Sequence, residues 1–164
     1  IWLGINLLTA FLGAWVIGRF EDTIQQLVAL AILMPVVAGM GGIAGSQTLT
    51  IAIRGIALGH IAKTNIKPLL IKELSIGILN GIFWSSVVAI IVIVWFGQFS
   101  LGIIIGASMI INLIIAALAG ATIPIILKHY GIDPAIAGGV ILTTVTDVVG
   151  FITFLGLATI FLIG

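Results

Sequence analysis

Apart from a few short polar turns, the sequence is a succession of apolar stretches, each far longer than a strand of a membrane barrel, which runs about 9 to 11 residues with alternating character. Over such lengths only a helix satisfies its own backbone without water. The chain is therefore predicted to be all-α. The stretches run from about Ile1 to Gly18, Gln26 to Leu58, Leu69 to Phe96, Leu101 to Leu127 and Pro134 to Gly164. A spanning helix takes about 20 apolar residues, which predicts a polytopic membrane protein with five transmembrane helices and termini on opposite sides. A water-soluble fold clothes itself with about a quarter charged residues; here 6 basic and 5 acidic side chains serve 164 residues. A net charge of +1 gives no concentrated basic surface for nucleic acid. The absence of cysteine excludes disulfides and thiolate metal sites. No linker divides the chain, so residues 1–164 are expected to form a single ion-conducting domain. The first residue is Ile1, and the opening run is too long and too lightly charged to be a cleaved signal. The chain thus reads as a membrane core cut from something longer.

Short loops rich in Lys and Arg stay in the cytoplasm. His60, Lys63, Lys67 and Lys72 crowd the second connection, Arg54 lies just before it, and Lys128 with His129 marks the fourth. The other side has Arg19 beside Glu21 and Asp22, and the uncharged turn Gly97 to Ser100. That predicts a cytoplasmic N-terminus and an extracytoplasmic C-terminus in the cell membrane.

An ionisable group deep in a span costs about 2.5 to 3.5 kcal/mol on insertion scales, so it signals function. Asp147 sits about 20 Å into the fifth stretch, near the middle of a 30 Å hydrocarbon core. Glu21, Asp22, Glu73 and Asp133 lie nearer span ends, where water is expected within reach. Gly139, Thr143, Asp147 and Gly150 recur at helical spacing and share one face, flanked by Thr144 and Thr146. Hydroxyls and bared carbonyls around a carboxylate suit hard divalent cations; close helix packing alone also explains the small residues. In the second stretch, Pro35 to Gln47 carries Gly39, Gly41, Gly42 and Gly45, followed by Ser46. Missing side chains expose backbone oxygens to a water path, and Pro35 frees another one turn earlier. The helix is expected to tilt, kink at Pro35 or break in this cluster. The GxxxG pairs Gly41–Gly45, Gly55–Gly59, Gly77–Gly81 and Gly102–Gly106 indicate tight packing in general. Gln47, Asn80, Ser108 and Asn112 are expected to bond between helices.

Gly131 to Ala135 followed by Thr143 to Gly150 resembles the last span of the MgtE family of magnesium channels. Pro35 to Gln47 resembles the family's glycine-rich second span, and Lys72, Glu73, Gly77 and Gly81 the start of its third. The resemblance implies a homodimer of five-helix subunits with an ion path at the dimer interface, lined by the second and fifth helices. It places Asp147 as the pore aspartate and Thr143 as a backbone-carbonyl contributor. Thr144, Gly139, Gly42, Gly45 and Ser46 complete the implied metal-site set. Where the family commonly carries asparagines, this chain has Ile43, Ser46 and Gly139, which leaves the choice among Mg²⁺, Mn²⁺, Co²⁺ and Ca²⁺ open. Cytoplasmic Mg²⁺-sensing domains precede the first span in many members, and the present chain is expected to lack them.

Lipid and a transported divalent ion are the expected partners, with inward Mg²⁺ flow through a channel as the expected function. A proton-coupled antiporter using Asp147 and a non-conducting structural subunit are the alternatives. Enzymatic chemistry is disfavoured, because Asp147 has no second buried carboxylate in view and neither His60 nor His129 belongs to an HExxH motif.

Overall fold

The computed structural model describes residues 2–59, 61 and 66–163. Its elements are all helical: α1 (Trp2–Gly18), α2 (Glu21–Gln26), α3 (Ala29–Ala57), α4 (Ile66–Phe96), α5 (Phe99–His129) and α6 (Pro134–Ala158), the last running into a π-helical turn at Thr159–Ile163. Four of them, α3 to α6, are long and apolar enough to cross a membrane. The fifth apolar helix, α1, has 17 residues, about 26 Å against a core of about 30 Å. Large apolar side chains face outward along α1 and α4, among them Leu3, Phe11, Trp15, Leu79, Val94 and Trp95. Such an exterior is suited to lipid, and the chain is a multi-pass membrane protein.

Several boundaries differ from the sequence expectation: α3 begins at Ala29 rather than Gln26, and α5 runs two residues further at each end. Glu21 and Asp22 are not a bare turn but the first turn of α2, where carboxylates meet the positive end of the helix dipole. The hydroxyls of Thr23 and Thr159 are 2.8 Å apart and tie α2 to the π-helical turn. Helix α4 begins at Ile66 rather than Leu69, because Pro68 is tolerated in a first turn, where its missing N–H has no intrahelical partner anyway.

α5 is the hub, packed on α3, α4 and α6. Small residues let the neighbours approach. A Cβ added at Gly77 of α4 would meet Ala117 Cβ at 3.0 Å, and one at Gly81 would lie 3.4 Å from the backbone of Ile110. Gly102 receives the side chain of Ile93. One apolar cluster, with Leu33, Val37, Ile105, Met109 and Phe154, fills one half of the bundle. A second, with Leu49, Ile123, Leu127 and Leu142, fills the other. Between them, buried Asn112 donates from Nδ2 to the Val37 carbonyl at 2.9 Å, the expected bond between helices. Ser108 departs from that expectation: its hydroxyl donates to Ile104 and Ile105 of its own helix.

The α5–α6 turn explains how α6 is aimed. The Ile132 N–H bonds the Leu127 carbonyl at 2.9 Å and the Gly131 N–H bonds Lys128 at 3.1 Å, a Schellman closure that requires the left-handed φ of +71° at Gly131. Two residues later the Asp133 carboxylate caps α6 by accepting from Ala135 N at 2.9 Å, with Pro134 at the first helical position. Asp133→Ala is expected to cost about 1 kcal/mol, read as a lower midpoint in thermal unfolding in detergent. Of the cations expected to mark one side, Arg54, Lys67, Lys72, Lys128 and His129 are exposed; His60 and Lys63 lie outside the described residues. Ile56, Ile66 and Lys128 line one pocket, which puts the end of α3, the start of α4 and the end of α5 together at one end of the bundle.

Candidate functional site on the open face of α3 and α6

Helix α3 is continuous through Pro35 and the glycine cluster, so of the tilt, kink or break expected there the break does not occur. The glycines divide between two faces instead. Gly41 and Gly45 are buried against α5: Gly41 lies on Asn112, and a Cβ at Gly45 would meet Leu142 at 2.9 Å and the Ala116 carbonyl at 3.2 Å. The carbonyl of Gly45 faces Gly120, at 2.6 Å from a Cβ built there. Gly41 and Gly45 thus seat α3 on α5 within the protomer. Gly39 and Gly42 sit on the other side, with no close neighbour beyond the Thr146 hydroxyl, 4.0 Å from a Cβ at Gly42.

That outer side is a groove of about 620 Å³ lined by Gly42, Ile43, Ser46, Gln47, Thr50, Ile51 and Thr143. The structure therefore brings Gly42, Ser46 and Thr143 together and turns Gly45 away. Gly139 is exposed on the face of α6 that carries Thr143, one turn earlier. Asp147 lies one turn after Thr143, half-buried and outside the groove lining, and Thr144 is half-buried beside it.

The hydroxyls on this face share one property. Thr143 donates to the Gly139 carbonyl at 2.9 Å, Thr144 to Val140 at 2.8 Å, Thr50 to Ser46 at 2.8 Å, and buried Thr146 to the Thr143 carbonyl at 3.1 Å. A hydroxyl that returns its proton to its own helix offers only lone pairs outward. With Asp147 one turn beyond Thr143, the hydroxyls of Thr143, Thr144 and Thr50 make the face rich in acceptors, which favours a cation. Among the described residues no three of His, Cys, Asp and Glu come together as a metal cage. The face can hold an ion through single oxygens and water.

Sequence reasoning missed two contributors. Thr50 follows Ser46 by one turn, a spacing that would have revealed it, and Gln47, expected to bond between helices, lines the groove. It also misjudged Glu73, expected near water but only 5% exposed. Glu73, Gly77, Gly81 and Ser85 are all buried at four-residue spacing along α4; the glycines that press this stripe onto α5 carry the carboxylate inward with them.

Comparison with known proteins bears on this face. A family model, MgtE, described as a divalent cation transporter, matches residues 34–157. The chain is 38% identical over 161 residues to the magnesium transporter MgtE of Bacillus subtilis. It is 30% identical to the proteins of that name in Enterococcus faecalis and Thermus thermophilus. Each match covers 98% of this chain and 36% of the relative, so the chain spans about a third of the length of these relatives.

Proposed function

The chain belongs to the MgtE family of divalent cation transporters, and from that membership we propose that it forms the ion-conducting part of a channel through which Mg²⁺ enters the cell. The observation that carries this reading is the groove of α3 and α6, where the hydroxyls of Thr50 and Thr143 turn lone pairs outward, with the half-buried carboxylate of Asp147 one turn beyond it. Ser46, Gly42, Thr143, Thr144 and Gly139 border or approach the ion path, and Asp147 supplies its charge. Gly45 serves indirectly, by seating the helix that carries Gly42 and Ser46.

In this reading two copies close their open faces on one another, α1 makes the fifth crossing, and the end with Arg54, Lys67 and Lys128 is cytoplasmic. Two Asp147 carboxylates across the dimer axis repel one another, and a divalent ion relieves that repulsion. Mg²⁺ gives up water reluctantly and keeps several waters when bound through one or two carboxylates, which fits a face without a cage. Doubling the ion's charge doubles its attraction to the same oxygens, so Mg²⁺ wins over K⁺ and Na⁺ by charge. The membrane potential drives it inward with about 2.3 kcal/mol per elementary charge per 100 mV.

Flux into proteoliposomes tests the scheme. Mg²⁺ uptake is expected to follow an imposed potential and to be unchanged by a pH gradient of either sign. Uptake that requires an opposing proton gradient would make Asp147 an alternating carrier, and no flux at all from the purified protein would make it a structural subunit. Competition by Mn²⁺, Co²⁺ and Ca²⁺ in the same assay ranks the ions.

A further inference from the structure

Behind the groove, on the other flank of α3, lies a separate chamber of about 160 Å³ between α3, α4 and α5. It holds the most deeply buried carboxylate of the described residues, Glu73. The only hydrogen bond that carboxylate receives from the described residues is long, 3.3 Å from the Thr48 hydroxyl, which leaves most of its lone pairs without a donor among those residues. Burying a carboxylate costs several kcal/mol unless something meets its charge. Lys72 lies in the same lining but is exposed, and side chains at i and i+1 on a helix do not face each other.

The other polar groups of the lining are the amides of Gln47 and Asn80. Glu73, Thr48, Gln47 and Asn80 can therefore turn oxygens, from two helices, toward a space with room for about five waters at 30 Å³ each. One carboxylate, neutral oxygens and retained water make the donor set of a hard divalent cation that stays partly hydrated. Gln47 and Ile51 line both chamber and groove, so the two spaces are separated by a single layer of α3 side chains.

We propose that this chamber is a second divalent-cation site within each protomer, in which Glu73 supplies the charge and Thr48, Gln47 and Asn80 the neutral oxygens. It rests on the divalent-channel reading for the identity of the ion and adds a site beside the path. An ion held there lies against the back of the helix that carries Ser46 and Gln47, and its charge is felt in the groove. The same wall lets Gln47 turn its amide oxygen to either side.

Mn²⁺ is the probe, titrated into the purified full chain in detergent, with free Mn²⁺ read by electron paramagnetic resonance. The unaltered protein is expected to show two classes of binding. Asp147→Asn removes one class and leaves the other. Adding Glu73→Gln, which preserves an acceptor for Thr48, weakens the remaining class by at least about tenfold, the effect of losing roughly 1.4 kcal/mol of charge attraction. Asn80→Leu, at an exposed position, weakens it about threefold, as loss of one neutral oxygen warrants. Binding to the Asp147→Asn protein that is indifferent to Glu73→Gln overturns the proposal. Should that variant fail to elute as a single species, indifference to Asn80→Leu overturns it equally. If Asp147→Asn changes nothing while Glu73→Gln removes a class, the chamber stands and the assignment of Asp147 to the path falls.

Discussion

Asp147→Ala is expected to reduce divalent uptake by at least about tenfold in a magnesium-starved, transporter-deficient strain, with the protein still present in the membrane. A dication and a unit charge about 6 Å apart, one water shell between them, attract by roughly 5 kcal/mol at an effective dielectric of about 20. If a third of that survives desolvation, ion occupancy falls by more than tenfold. Asp147 is half-buried on α6, one turn from the groove, and none of the hydrogen bonds that hold the described helices together uses its side chain, so the substitution removes charge and little structure. Glu21→Ala is the control: that carboxylate lies exposed on α2, where it accepts a hydrogen bond from Gln25, and uptake is expected to be unchanged. Equal uptake by the Asp147 and Glu21 variants would remove Asp147 from the ion path.

The second large effect is structural. Gly120 of α5 marks a close backbone crossing with α3. A methyl group there would lie 2.6 Å from the Gly45 carbonyl, 2.9 Å from Thr48 Cβ and 3.1 Å from the Leu49 nitrogen. Two of those three atoms are backbone, which cannot rotate aside, so the helices must separate along their length. Gly120→Ala is expected to cost about 1–3 kcal/mol as overpacking. It is also expected to displace α3, lowering uptake further than the stability loss alone explains. Thermal unfolding in detergent and uptake at equal membrane abundance read the two effects separately. As a contrast, Gly139→Ala meets nothing within 4 Å and is expected to leave stability unchanged.

Much of this was legible in the sequence, and the reasons differ by residue. Long apolar stretches admit only helices in lipid, so α3 to α6 could be read directly. The stripe of Thr143 and Asp147 followed from the helical period alone. The period did not say which of two faces a residue takes when both are small and apolar. Gly42 and Gly45 look alike in sequence, yet one borders the groove and the other is pressed on α5, because only the neighbour's shape separates them. Depth was also misread for Glu73. Counting residues from a span end measures distance along the axis, whereas this carboxylate is buried sideways, by the glycines one and two turns after it. The presence of α2 depended on local dipole and hydroxyl contacts that no hydropathy pattern encodes.

One arrangement of the bundle has a mechanical meaning. Helix α1 has its substantial packing on α6, where Gly13 meets Phe151, while α5 is wedged among three neighbours. α5 is thus the fixed frame of the bundle, and α1 is fastened to the element that carries Asp147. A displacement of α1 is therefore expected to be felt first, through side-chain packing, at Phe151 of α6, one helical turn from Asp147.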